Sequence, residues 1–242
     1  MATWLQWVVL SWLTGSPAGA AIFLLALWWL GDRFTFRLFP SPVRWLRRSS
    51  RIADLRRTLA ANPHDRRARF ELAELLLETR RARAAVEALR PNLEAGDDDV
   101  HTAFTMGAAL ARSGFSEQAE KMLAAARAEE PAFRMGEIDL ELGRMRLGRR
   151  DFAGAREALE RLVALRPGTV EGRVLLARAL DGMGDGAGAR RVRSEAWREY
   201  ASLPRFHRRH ERPYAWRIKP WRPALVGLAV AAALVLAAGL VR

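Results

Sequence analysis

Few residues of this 242-residue chain have the type and spacing that catalysis or metal binding requires. His207 and His210 are three positions apart, so a helix would place both imidazoles on one face, as a metal site needs. Arg208, Arg209 and Arg212 surround the pair, and their positive charge would repel a cation. We therefore predict no metal site.

A glycine-rich run, Gly184-x-Gly186-x-Gly188, has a spacing similar to that of a phosphate-binding loop. Such a loop follows a strand, and a nucleotide-binding loop ends in Lys-Ser or Lys-Thr. This run has neither feature and coincides with a predicted turn between helices. Cysteine is absent, which excludes thiolate nucleophiles, thiolate metal sites and disulfides. We predict no catalytic residue, no cofactor and no small-molecule substrate, and hence a protein that is not an enzyme.

The middle of the chain contains an internal sequence repeat. A large apolar residue is followed by a small one at Leu72-Ala73, Met106-Gly107, Leu142-Gly143 and Leu176-Ala177, spaced 34, 36 and 34 residues apart. Twelve residues after each small residue stands an alanine, at Ala85, Ala119, Ala155 and Ala189. Such a period is typical of stacked helical hairpins, because small residues let paired helices approach and neighbouring hairpins cover the apolar faces.

These residues resemble the tetratricopeptide repeat family over about Arg66 to Tyr200. The second repeat matches best, with Met106, Gly107, Leu110, Gly114, Ala119, Leu123, Ala126 and Pro131 where the family pattern has them. The usual tryptophan near each repeat start is missing, and Arg146 and Arg193 occupy normally apolar positions. The resemblance implies an all-α, right-handed helical-hairpin solenoid of about four repeats that binds proteins in a concave groove. The alternative is a helical bundle with accidental periodicity.

The resemblance also implies which residues line the groove, because the first helix of each hairpin faces it in this family. The expected groove residues are Phe70, Glu74, Leu77, His101, Phe104, Arg112, Leu140, Arg144, Val174 and Arg178. An apolar stripe centred on Phe70 and Phe104 would then run beside a basic stripe and suit an amphipathic, partly acidic partner segment. The alternative is that the apolar stripe only packs between neighbouring helices.

The positive charge of the chain lies outside the repeats. The formal net charge is +13, from 40 Lys and Arg against 27 Asp and Glu. Between Pro63 and Pro204 there are 24 basic and 24 acidic residues, which leaves 16 basic and 3 acidic residues outside that block. A neutral repeat block argues against nucleic-acid binding. The flanking positive charge instead borders two long apolar runs, as membrane topology rules require.

Both ends of the chain are predicted to enter a membrane. Residues 4–30 carry no charge, and residues 224–241 form a second uncharged run that is just long enough to span a bilayer as a helix. Gly15-Ser16-Pro17 interrupts the first run. Either one kinked helix spans the bilayer, or an interfacial helix precedes a span that begins at Pro17. A cleaved signal peptide fits less well, because no basic residue precedes the run.

The predicted organisation has five parts. An N-terminal membrane segment (1–39) is followed by a basic arm with a capping helix (40–62), the solenoid (63–204), a second basic arm (205–222) and a transmembrane helix (223–242). The arginines expected at the membrane surface, where they would contact anionic lipid, are Arg44, Arg47, Arg48, Arg208, Arg209 and Arg212. This charge places the solenoid on the cytoplasmic side of a bacterial inner membrane.

We expect a membrane-anchored scaffold or adaptor that binds protein partners through its groove. The alternative is a structural accessory subunit of a membrane protein complex, bound mainly through its transmembrane helices. Gly227-x-x-x-Ala231 would let another helix approach closely in that case.

Overall fold

The computed structural model describes residues 42–97, 99–221 and 225, and within them the chain is helical without strands. Residues 45–218 form one compact unit. The helices of the described part are α1 (Pro42–Ala61), α2 (Arg66–Glu78), α3 (Ala82–Glu94), α4 (Val100–Ser113), α5 (Ser116–Glu129), α6 (Glu137–Gly148), α7 (Phe152–Leu165), α8 (Val170–Gly182), α9 (Gly186–Ser202) and α10 (Arg205–Ile218). A 3₁₀ turn, Phe133–Met135, precedes α6.

The two predicted membrane segments lie outside the described residues, apart from Leu225. In the part of the chain that the structure describes, no helix is long and apolar enough to cross a membrane.

Helices α2 to α9 pair into four hairpins, and each first helix ends in the same way. Just after each first helix, a backbone amide donates to the carbonyl five residues before it. Examples are the bonds from Phe115 N–H to the Leu110 carbonyl (3.0 Å) and from Asp185 N–H to the Leu180 carbonyl (2.9 Å). This C-terminal motif needs one left-handed residue. Gly114 and Gly184 supply it with φ of 92° and 83°. The other two hairpins use arginine at the equivalent positions, Arg80 and Arg150.

Small residues set the distance between the two helices of a hairpin. A Cβ added at Gly107 would lie 2.8 Å from Cγ of Leu123, and one at Gly143 would lie 2.6 Å from Cγ of Leu159. The leucine of the second helix therefore presses directly on the glycine of the first. Ala119, from the predicted alanine series, is fully buried in the same pairing. The periodic residues thus form the hairpin interface.

The buried apolar residues form two clusters, one in the first half of the solenoid and one in the second. Helix α6 contributes Ile138 and Leu142 to the first cluster and Leu140 and Leu147 to the second. It is therefore buried on both sides, as a helix in the middle of a stack must be.

Additional helices cover both ends of the stack. Ile52 and Leu55 of α1 are buried in the first cluster, and Arg51 pairs with Glu71 at 2.6 Å. At the other end, the segment predicted as a basic arm contains α10, which packs on α8 and α9. Ala215 of α10 is fully buried. Each end helix covers apolar surface that a terminal hairpin would otherwise expose.

Candidate protein-binding groove

The first helices of successive hairpins lie side by side. Helix α4 contacts α2 and α6, and α6 contacts α8, whereas the second helices of the described hairpins show no comparable contact with one another. The stack is therefore curved, with the first helices on the inner side. This places their exposed side chains in one candidate groove.

Alternating charges form a ladder across three of these helices. Glu141 of α6 accepts hydrogen bonds from Arg112 of α4 and from Arg144, each at 2.5 Å. Arg144 also donates to Glu171 of α8. Burial alone would lower the pKa of the Arg144 guanidinium, but the charges of Glu141 and Glu171 raise it above its usual range. The charge ladder (Arg112, Glu141, Arg144 and Glu171) is therefore internally paired.

A cavity of about 440 Å³ opens beside the charge ladder. Its wall includes all four ladder residues together with Leu140, Arg166 and Glu211. Helix α10 supplies Glu211, and Tyr214 on the same helix lies near Glu171. Burial and the charge of Glu171 raise the pKa of the Tyr214 hydroxyl. The C-terminal helix thus forms the end wall of the groove.

Glu211 and Arg166 of this wall are both incompletely hydrogen-bonded, Arg166 at its Nε and Glu211 at its carboxylate. The Oε2 of Glu211 is buried, and no donor among the described residues reaches it. Burial, followed by the nearby charge of Glu171, raises the pKa of the Glu211 carboxyl, while Arg166, His210 and the Glu171 amide act in the opposite direction. The folded protein therefore favours the protonated form of Glu211 more than the unfolded chain does.

We predict that Glu211→Gln raises the thermal midpoint of the solenoid at pH 7 by roughly 1–3 °C, which corresponds to about 1 kcal/mol or less. An acid with a raised pKa contributes stability below its unfolded pKa and loses it as pH rises through the folded pKa. The advantage of the variant should therefore disappear near pH 4 and grow toward pH 7. Paired thermal melts across this range measure it, and a constant difference would contradict the assignment to Glu211.

The other half of the groove is aromatic. Phe104 packs against Phe133, with ring centroids 5.1 Å apart, and His101 meets Phe133 edge-on at 4.9 Å. The guanidinium carbon of Arg134 lies 5.2 Å from the centroid of Phe133 and 5.8 Å from that of Phe104. Arg134 also pairs with Glu74 of α2 at 3.2 Å. We call Phe104, Phe133, His101 and Glu74, together with Glu137, the aromatic cage.

The structure places the ten predicted groove residues in three environments. Leu77, Phe104 and Leu140 are buried, while Phe70, Glu74, Arg144 and Val174 are half-buried. His101, Arg112 and Arg178 are exposed. Glu74, His101 and Phe104 meet at the aromatic cage, and Arg112, Leu140 and Arg144 meet at the cavity. Phe70 packs against the first apolar cluster and is not part of either site.

Several residues of these two sites were not predicted from the sequence. They are Phe133, Arg134, Glu137, Glu141, Glu171, Glu211 and Tyr214. One signal was present, because the repeat that contains Arg134 is two residues longer than its neighbours. The extra length lies in the segment between α5 and α6, which carries Phe133 and Arg134.

The arginines expected at the membrane surface have varied surroundings. Arg48 pairs with Glu78 at 2.8 Å, and Arg208 donates to the carbonyls of Ala201 and Leu203 at 2.5 and 2.6 Å. Arg212 lies 6.0 Å from the ring centroid of Trp216. Arg47 is exposed and Arg209 half-buried, and the Arg44 side chain is outside the described part. Arg208 therefore closes the end of α9 as well as adding positive charge.

His207 and His210 flank the ring of Phe206 at 5.4 and 5.8 Å. Within the described residues, no three His, Asp or Glu side chains are grouped so that they could hold a metal ion.

The stacked hairpins and their inner groove define an all-α, tetratricopeptide-like helical-repeat solenoid. Solved structures of MamA have this fold. The chain is 20% identical to MamA 41-end from Desulfovibrio magneticus RS-1, with a TM-score of 0.59, and the match covers 66% of this chain and 91% of that one. MamA AMB-1 gives 18% identity and a TM-score of 0.57 over 66% of this chain and 94% of that one. No family model and no curated protein matches the sequence.

Proposed function

We propose that this protein is a membrane-anchored scaffold that binds protein partners in the groove formed by its first helices. The proposal rests on the groove, in which a cavity of about 440 Å³ and the aromatic cage lie along one inner surface. Inner surfaces of helical-repeat stacks are extended and suited to peptide or helix recognition. The likeness to MamA supports the fold, and the binding role is our inference from the groove.

Binding rather than catalysis also fits the chemistry of the groove. The charge ladder holds guanidinium and carboxylate groups that neutralise each other at about 2.5 Å. Among these four residues no nucleophile stands beside a base, which nucleophilic catalysis needs. We propose a non-enzymatic protein without cofactor, metal, nucleic acid or small-molecule substrate.

The membrane anchor is proposed from the sequence. Two uncharged runs, 4–30 and 224–241, flank the solenoid, and basic arms separate it from them. Positive charge next to membrane spans stays on the cytoplasmic side, so we propose that the solenoid faces the cytoplasm at a bacterial inner membrane. Arginines of both arms, such as Arg44, Arg47 and Arg209, would contact anionic lipid.

The orientation is tested with a single cysteine, because the natural chain has none. Ser116→Cys lies at the start of α5 in the solenoid. We expect a membrane-impermeant maleimide to label it after cells are opened and to leave it unlabelled in intact cells. Labelling in intact cells would reverse the proposed orientation.

The groove is tested by removing exposed arginines from it. We expect Arg112→Ala with Arg178→Ala to reduce the protein partners that co-purify with the tagged full chain by about 3–10-fold, because charges at the edge of an interface steer association. The matched control, Arg156→Ala with Arg198→Ala, removes the same charge from exposed positions on the second helices. Equal capture by both variants would favour the accessory subunit bound through its membrane helices.

A further inference from the structure

The guanidinium of Arg134 occupies the aromatic cage as a ligand would. It stacks over Phe104 and Phe133. Two carboxylates flank it, Glu74 at 3.2 Å and Glu137 at 3.7 Å. Its Nη2 also lies 3.3 Å from Nδ1 of His101. Two aromatic faces with two carboxylates form a recognised environment for an organic cation.

The backbone conformation at Arg134 is energetically unfavourable. Arg134, Met135 and Gly136 are consecutive left-handed residues, with φ of 44°, 55° and 85°. Only the glycine adopts this region readily, so the segment must be held by its surroundings. Backbone hydrogen bonds, such as that from Met135 N–H to the Ala132 carbonyl (2.8 Å), and the buried Phe133 ring hold it together with the Arg134 side chain. Met135 is 61% exposed and therefore contributes little packing of its own. The segment is also where the repeat is longer, so it is an addition to the regular hairpin pattern.

We propose that the aromatic cage is a binding site for an arginine side chain of a protein partner, and that Arg134 is an internal occupant which the partner displaces. This inference rests on the proposed groove function and names the partner chemistry for one part of the groove. Arg134 is about 40% exposed along its side chain, so it can leave without opening the apolar core.

The occupant must be cationic and planar. If Arg134 leaves, Glu74 and Glu137 lose their counter-charge on a partly buried surface, and a neutral residue would not restore it. A guanidinium stacks on aromatic rings and offers several donors in one plane, whereas an ammonium is a more strongly hydrated point charge. Arginine therefore fits the cage better than lysine does.

The test removes the internal occupant and supplies a small replacement. Arg134→Gly leaves the cage without its guanidinium and also suits the left-handed backbone. The purified full chain in detergent is titrated with N-acetyl-arginine-N-methylamide, and the ring signals of His101 are followed by NMR. We expect the variant to bind this probe at least tenfold more tightly than the natural chain, because a tethered competitor acts at an effective concentration of about millimolar or more.

Three comparisons make the result decisive. The citrulline analogue has the same shape without the charge and should not bind, and Glu74→Gln in the Arg134→Gly background should weaken arginine binding by about tenfold. If Arg134→Gly does not fold, Arg134→Gln is titrated with the same probe and is expected to give the same result. Equal binding of the arginine and citrulline probes, or no binding by a folded variant, would overturn the proposal. The probe needs no protein partner, so failure here is distinct from failure of partner capture.

Discussion

Replacing Arg144 by alanine is expected to lower the free energy of unfolding of the solenoid by about 2–4 kcal/mol. Arg144 joins Glu141 and Glu171, whose side chains are only 7% and 13% exposed. Its loss leaves Glu171 without its guanidinium partner and Glu141 with Arg112 alone. The expected loss lies below the full value for a completely buried pair, because solvent reaches a third of the Arg144 side chain.

The measurement is equilibrium unfolding in urea of the fragment 45–218, whose helical circular dichroism spectrum is recorded first. Arg156→Ala is the matched control, because Arg156 pairs with Glu160 on an exposed face at 2.8 Å. An exposed pair of this kind contributes little stability, because solvent screens it. If the two variants lose similar stability, the charge ladder does not stabilise the fold.

Replacing Phe104 by alanine is expected to destabilise the same fragment by about 3–5 kcal/mol. Phe104 is 8% exposed and packs within the first apolar cluster against the ring of Phe133. The variant would leave a void beneath the Arg134 guanidinium and remove one face of the aromatic cage. We therefore expect Phe104 to matter for binding through the shape of the cage rather than by direct insertion into a partner.

Phe115→Ala provides the comparison for Phe104. Phe115 is 50% exposed in the turn before α5, and its truncation should change stability by about 0.5 kcal/mol or less. A thermal melt of each variant, at equal protein concentration, gives the contrast. Equal losses would mean that Phe104 is not part of the packed core.

The sequence was sufficient to predict the hairpins, because their physics depends on a few residues with fixed spacing. Gly107 and Gly143 must be small where Leu123 and Leu159 press on them, and the period made those positions visible. The helix α10 was not predicted as part of the stack. Its Arg-rich sequence suggests a solvated arm, whereas in the structure Ala215 is fully buried and Arg208 donates to the carbonyls at the end of α9.

The sequence put the candidate groove residues on the first helices of the hairpins but did not predict how they pair. Arg112 and Arg144 were expected to form a basic stripe, yet Glu141 and Glu171 neutralise them. Pairing of this kind depends on the offset between neighbouring helices, which a repeat period does not specify. Arg146, at a normally apolar position, is explained in the same way, since it bonds Glu120 of α5 and the carbonyl of Gly154.

The position of α6 has a consequence for cooperativity. A stack whose repeats contact only their neighbours is able to open from its ends, one hairpin at a time. Here one helix supplies side chains to both apolar clusters and also carries Glu141 and Arg144. When α6 opens, both halves lose packing together. The amides of α4, α6 and α8 should therefore exchange with solvent in a single global event, while those of α1 and α10 exchange earlier through local fraying.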